Sequence, residues 1–139
     1  MHCLTDYDIK ILIAFYESLE GKREYSNFLL ENGFAELSAL SNAIQSDIDA
    51  VYWLINNGFP EFGILSNAID NEYNAVKWLD DHHCTFLALF AAACRQEEDA
   101  IKWFVEKDLK IFIMMIKTIQ EILLFQSYDS SNYHKIRKS

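Results

Sequence analysis

Apolar residues recur with a helical period inside segments of about ten residues. Leu65, Ala68 and Ile69 follow the i, i+3, i+4 spacing that places side chains on one face of a helix. The same spacing returns ten residues later at Ala75, Trp78 and Leu79. The pattern predicts two short amphipathic helices, and each needs a neighbour to cover its apolar face.

The two-helix pattern repeats at an interval of 25 residues. Six-residue stretches that begin at Asp49, Asn74 and Asp99 have the sequences D-A-V-Y-W-L, N-A-V-K-W-L and D-A-I-K-W-F. The same shift places residues 65–69 on residues 40–44. Repetition at a fixed interval indicates structural units that stack on one another. We therefore predict an all-α protein, an α-solenoid of about four and a half helix pairs.

Residues 25 positions apart form columns, and the apolar columns are predicted to be core. One such column contains Phe15, Leu40, Leu65, Phe90 and Met115. The column that contains Phe28, Trp53, Trp78 and Trp103 is assigned to the core for the same reason. The units cover a single domain, residues 1–126, and residues 127–139 form a polar tail that we expect to be flexible.

The unit resembles the ankyrin repeat. The resemblance depends on Leu65-x-x-Ala68-Ile69, on Ala75-Val76-x-Trp78-Leu79, and on Asn57-Gly58 at the end of the second helix. The interval of 25 residues is shorter than the ankyrin interval of about 33, and the Thr-Pro-Leu-His motif is absent. The missing length corresponds to the β-hairpin finger. The resemblance implies a protein-binding role with no chemistry of its own.

Composition and charge narrow the function classes. The chain is 51% hydrophobic, which excludes intrinsic disorder, and its formal net charge of −9 disfavours nucleic-acid binding. Three cysteines without C-x-x-C spacing indicate a reducing compartment, and no secretory signal is present. The apolar runs at residues 86–94 and 111–116 are too short to span a bilayer. We therefore expect a cytoplasmic protein with no membrane partner.

One short string carries a candidate chemistry. Asp81-His82-His83-Cys84 spells D-H-H-C, the signature of palmitoyl transferases, but the chain lacks their membrane spans and cysteine-rich module. A structural zinc site needs four convergent ligands, and adjacent histidines point in different directions. No other catalytic motif occurs, so we expect neither an enzyme nor a cofactor nor a metal. A small metal protein or enzyme that uses these residues stays as the alternative from another class.

Acidic residues are concentrated in the middle of the chain. Residues 36–108 contain 13 acidic and 4 basic residues, whereas residues 109–139 have a net charge of +3. The acids cluster at predicted helix starts, where they stabilise the helix dipole. Aligned by stacking, they would also form a negative ridge that attracts a basic partner. The predicted partner-binding residues are Asp47, Asp49, Tyr52, Asp70, Glu72, Tyr73, Glu97, Glu98 and Asp99.

These features favour a non-enzymatic protein-binding module. In size and charge the chain is similar to bacterial immunity proteins, which neutralise basic nuclease toxins, and we expect an inhibitor of that kind. The runner-up is an ankyrin-type protein, viral or bacterial, that binds a host factor. A further alternative is a fragment that dimerises through the apolar helix at residues 111–125.

Overall fold

The computed structural model describes the backbone of residues 1–138 and the side chains of residues 1–128. In that part of the chain every regular element is a helix, which confirms the all-α prediction. A short 3₁₀ helix, Leu4–Asp6, precedes the α-helices. The α-helices are α1 (Ile9–Leu19), α2 (Arg23–Glu31), α3 (Ala35–Ile44), α4 (Ile48–Asn56), α5 (Pro60–Ile69), α6 (Tyr73–Asp81), α7 (Thr85–Cys94), α8 (Glu98–Glu106) and α9 (Lys110–Lys138).

Helices end at intervals of 25 residues, and a residue with left-handed backbone conformation follows each end at the same interval. A left-handed residue ends a helix by turning the chain away from the helical path. Such a residue lies two positions after each odd-numbered helix from α1 to α7, at Gly21, Ser46, Asn71 and Gln96. The even-numbered helices end in the same way at Gly33, Gly58, His83 and Asp108.

The odd-numbered helices form a closed cycle of contacts. Helix α1 packs on α3, α3 on α5, α5 on α7 and α7 on α9, and α9 also packs on α1. In a linear stack the first and last helices would lie far apart. Each even-numbered helix packs against the two odd-numbered helices that flank it in the sequence. We call the odd-numbered helices inner and the even-numbered helices outer.

The core lies between the inner helices. The column predicted from the sequence is completely buried at every position, at Phe15, Leu40, Leu65, Phe90 and Met115. Each outer helix adds one buried residue from a second column, which contains Leu29, Leu54, Leu79 and Phe104. The repeat columns therefore identify the inward side of both helix types.

The tryptophan column is core in part only, because Trp78 and Trp103 pack against the core whereas Phe28 and Trp53 do not. Phe28 is 43% exposed and Trp53 is 39% exposed, while Trp78 and Trp103 are half-buried. Each precedes a buried residue of the outer helix. The buried residue takes the inward position of the helix, so the residue before it, about 100° away around the helix axis, lies at the margin of the buried face.

The N-terminal segment covers one end of the inner helices. Leu4 is completely buried there. The buried carboxylate of Glu61 accepts a hydrogen bond from the backbone N–H of His2 (3.2 Å) and lies 2.7 Å from Nδ1 of the same residue. The Tyr7 hydroxyl donates to Glu36 at 2.8 Å, and burial together with that carboxylate raises the pKa of Tyr7. This segment ties together residues from α3 and α5.

The last helix begins close to where the apolar C-terminal helix was predicted and extends further than predicted. Between Lys110 and Tyr128 it would be able to cross a membrane by length and composition alone, which corrects the expectation that no run is long enough. The helix continues through Lys117, where the apolar run was expected to end. Phe112, Met115 and Ile119 are buried in the core, so part of its apolarity serves packing.

The predicted tail at residues 127–139 falls largely outside what the structure describes. Helix α9 continues to Lys138, whereas side chains after residue 128 and the whole of Ser139 lie outside the described residues. The flexibility of this tail and the domain boundary at residue 126 stay predictions.

Candidate partner-binding surface

The predicted acidic residues lie around the turns that join inner helices to outer helices. We call this side of the molecule the acidic end and define it by Asp47, Glu72 and Glu97, each of which is the N-cap residue of an outer helix. Every predicted partner-binding residue is exposed there or on the adjoining outer helix. They are Asp47, Asp49 and Tyr52; Asp70, Glu72 and Tyr73; and Glu97, Glu98 and Asp99.

The three N-cap acids have different local partners. Asp47 accepts a hydrogen bond from the backbone N–H of Asp49 at 3.1 Å, which is a capping contact. Glu97 accepts from the guanidinium of Arg95 at 2.7 and 3.1 Å. Glu72 makes no side-chain capping bond. Capping therefore explains the position of Asp47, while Glu97 is neutralised locally and Glu72 has neither contact.

Outer helices α6 and α8 neutralise part of their own charge. Lys77 pairs with Asp81 at 2.6 Å, and Lys102 lies 3.8 Å from Glu106, both at i, i+4 spacing. Helix α4 has no such pair because the sequence contains no lysine, arginine or histidine between residues 24 and 76. That stretch contains eight acidic residues. The excess negative charge is therefore centred on α4 and its neighbours.

Helix α4 also exposes an apolar face. Ile48, Tyr52 and Ile55 are 64%, 58% and 39% exposed, and their i, i+4, i+7 spacing places them on one side of the helix. The corresponding positions elsewhere are polar or mixed. They are Arg23, Asn27 and Leu30 in α2; Tyr73, Lys77 and Asp80 in α6; and Glu98, Lys102 and Val105 in α8.

Side-chain bonds link successive inner helices near the acidic end. Arg95 donates from Nη1 to the carbonyl of Ala68 at 2.6 Å, and Gln120 donates to the carbonyl of Ala93 at 2.9 Å. Gln45 makes a longer bond of 3.4 Å to the carbonyl of Ser18. The donors lie 50 and 25 residues apart, in one repeat column, and each reaches a carbonyl 27 residues earlier in the chain.

Asp70 occupies the remaining position of this donor column. An ionised carboxylate only accepts hydrogen bonds, so Asp70 cannot make the bond that its counterparts make. Removal of water by the surrounding protein, and then the negative charge of Glu72, raise the pKa of Asp70. A cavity of about 200 Å³ lies beside it, bordered also by Asp47, Ile48 and Val51. This part of the acidic end combines negative charge, apolar surface and open volume.

The D-H-H-C string has structural contacts of its own. The His82 ring stacks on Trp78 with a centroid distance of 3.8 Å, and its Nδ1 lies 2.8 Å from the Trp78 carbonyl oxygen. His83 is one of the left-handed helix-ending residues. Sγ of Cys84 lies 2.9 Å from Sδ of Met1. Among the side chains of residues 1–128, no three His, Cys, Asp or Glu residues are arranged to hold a metal ion.

No family model, curated protein or solved structure matches the chain. The candidate surface therefore depends on the residues alone. Sequence reasoning identified its acidic residues and Tyr52, but it missed Ile48 and Ile55. Their signal was present in the repeat, because α4 is the helix that has apolar residues at all three of these outward positions.

Proposed function

We propose that this chain is a non-enzymatic protein-binding module that captures a basic protein through its acidic end. The observation that carries the proposal is the 53-residue stretch without a basic side chain, residues 24–76, around an exposed apolar helix. Interfaces need apolar area for affinity and complementary charge for specificity and rapid association. Helix α4 offers both within three helical turns.

We further propose that the module is an ankyrin-like assembly of helix pairs. Helix boundaries at intervals of 25 residues support repeated units, as do the periodic left-handed residues that end the helices. The contact between α1 and α9 supports a strongly curved arrangement in which the terminal units meet. Repeats of this kind present corresponding side chains side by side, which enlarges a shared binding surface.

The most specific form of the proposal is an inhibitor or immunity protein for a basic nuclease toxin in the cytoplasm. A nuclease needs positive charge to bind phosphates. An acidic protein that covers this charge competes directly with the nucleic acid, and long-range attraction accelerates the encounter. The role requires no cofactor and no catalytic group in the inhibitor.

The test compares capture by two triple charge reversals. The full chain and Asp47→Lys/Glu72→Lys/Glu97→Lys are immobilised and exposed to lysate of the organism that encodes the protein. The matched control is Glu31→Lys/Asp81→Lys/Glu106→Lys. It makes the same change of charge at three residues of another repeat column, which lie at the C-terminal ends of α2, α6 and α8. Circular dichroism confirms that each variant is folded.

We expect the wild type and the control to retain one basic protein that high salt releases, and the acidic-end variant to lose it. The captured protein, once purified, should degrade nucleic acid, and equimolar wild type should stop that degradation. A captured protein without nuclease activity would refute the nuclease-toxin form of the proposal. Equal capture by the wild type and by both variants would refute the acidic end as the binding surface.

A further inference from the structure

We propose that the partner inserts an arginine side chain into the cavity between Asp47 and Asp70 and places apolar side chains on the exposed face of α4. The inference rests on the proposed function, because it takes a basic protein as the partner. It adds a description of the partner segment that this protein binds, which is amphipathic and carries an arginine beside apolar residues.

The chain itself shows how an arginine is held at the corresponding position one unit later. Arg95 donates from Nη1 to the carbonyl of Ala68, and from Nε and Nη2 to Glu97. Its side chain is 14% exposed. A shift of 25 residues converts this set into Asp70, Ala43 and Glu72. Both acceptors are therefore present at the earlier position, and the guanidinium is missing.

The acceptors at the earlier position have capacity for a ligand. The Ala43 carbonyl accepts the backbone N–H of Ser46 at 3.0 Å, and a carbonyl oxygen has two acceptor sites. Asp47 and Asp70 border the cavity, and Glu72 follows Asp70 closely in the chain. A guanidinium is favoured over an ammonium here because its flat array of donors reaches a carbonyl and a carboxylate together.

The outward face of α4 favours an amphipathic segment over an isolated arginine. Ile48 borders both the cavity and the exposed apolar face. A segment with apolar residues one helical turn from its arginine would cover Tyr52 and Ile55 while the arginine enters the cavity. No lysine or arginine occurs in residues 24–76 to repel it.

The decisive variant is Asp70→Arg in the full-length chain. Arg95 borders a cavity of its own and bonds to Ala68 and Glu97. By analogy, the new side chain should line the cavity and bond to Ala43 and Glu72, so that these acceptors are no longer available to the partner. The probe is a fluorescent helical peptide in which one arginine and several leucines lie one helical turn apart on the same face, and binding is followed by anisotropy. Asp70→Arg should weaken binding about tenfold or more, as expected for the loss of a hydrogen-bonded charge pair. Its melting temperature should equal or exceed that of the wild type.

A matched pair of substitutions tests the apolar face. Tyr52→Lys introduces the residue that α6 and α8 have at this position. Tyr73→Lys makes the same chemical change on α6, at a tyrosine that is more exposed than Tyr52 (75% against 58%). We expect Tyr52→Lys to weaken binding several-fold more than Tyr73→Lys. When the peptide binds, the amide chemical shifts of residues near Ala43 and Asp70 should change in the two-dimensional NMR spectrum. The shifts of residues near Ala68 and Arg95 should stay the same.

Each result has a defined consequence. Unchanged binding by Asp70→Arg, or equal effects of the two tyrosine variants, would overturn the inference. So would failure of the wild type to bind the arginine peptide, or equal affinity for a peptide in which glutamate replaces arginine. These outcomes leave the capture experiment unaffected, because it asks only whether the acidic end binds a protein. Loss of capture by both charge-reversal variants would refute the proposed function independently.

Discussion

Two neighbouring junctions of this protein have the same backbone plan and opposite chemistry. Where α5 meets α7, Arg95 spans the gap and bonds to Ala68 and Glu97. Where α3 meets α5, Asp70 occupies the equivalent position, and a cavity of about 200 Å³ is left beside it. Both junctions border a cavity, since the space of about 400 Å³ between α6 and α7 is also lined by Ala68, Arg95 and Glu97. The two junctions therefore differ in the sign of the charge and in the side-chain bond to the neighbouring inner helix.

Gly63 lets α4 approach α5 closely, since a Cβ at that position would lie 3.0 Å from Cγ1 of Ile55 and 3.2 Å from the carbonyl oxygen of Val51. Ala88 replaces this glycine in α7, and α6 packs against α7 more sparsely. A cavity of about 400 Å³ lies between α6 and α7. The Arg95 junction is therefore tied at its inner helices and loose at its outer helix.

The largest expected effect comes from breaking the arginine contact. Arg95→Ala removes bonds to a carbonyl and a carboxylate from a side chain that is mostly buried. We expect a loss of about 3 kcal/mol of unfolding free energy, since hydrogen bonds to charged groups contribute about 1.5–3 kcal/mol. Urea denaturation measures the change. A loss below that of Gln45→Ala would show that Arg95 does not hold the junction.

A smaller effect is expected from closing the space at Gly63. Gly63→Ala must push α4 away from α5, because the obstructing atom at 3.2 Å belongs to the backbone. Overpacking costs about 1–3 kcal/mol, and the gain of about 1 kcal/mol in helix propensity offsets part of it, so the expected net loss is about 1 kcal/mol. The control Ala88→Gly should also lose about 1 kcal/mol, from propensity alone. Stabilisation by Gly63→Ala in thermal unfolding would contradict the close packing.

The glutamine contacts should contribute less than the arginine contact. Gln120→Ala removes a bond of 2.9 Å to the Ala93 carbonyl and should cost about 1 kcal/mol, the usual net value of a neutral hydrogen bond. Gln45→Ala removes a longer bond of 3.4 Å to the Ser18 carbonyl and should cost less. Chemical denaturation of both variants gives the order, and a reversed order would argue against these bond lengths.

The smallest effect concerns the charge of Asp70. Its raised pKa means that the folded chain holds this proton more firmly than the unfolded chain, so its contribution to stability grows as pH falls through the raised pKa. Asp70→Asn should therefore stabilise the protein at pH 7, by no more than about 0.5 kcal/mol at this exposed site. The gain should vanish below about pH 4, where aspartate is protonated. Melting temperatures across this range test it, and a gain that persisted at low pH would exclude charge as the cause.

Much of the architecture was predictable from residues 25 positions apart. The inner column that includes Phe15 and Met115 is completely buried, because small shifts of a helix do not change which side its apolar stripe faces. The exposure of the acidic residues in the candidate surface was predictable, because aspartate and glutamate are seldom buried without a partner. The exposure of Trp53 was not predictable. Trp53 lies next to the inward-facing Leu54, and the sequence does not show how wide the buried face of the helix is.

By itself, then, the sequence determined helix type, helix spacing, the inward columns and the acidic middle of the chain. These depend on local periodicity and on the cost of burying charge, both of which act within a few turns. The contact of α1 with α9 and the difference between the Asp70 and Arg95 junctions were decided by tertiary structure. Such features depend on how small packing angles accumulate over many units and on which distant carbonyl a side chain reaches. No local pattern contains that information, because the atoms concerned lie 27 or more residues apart in the chain.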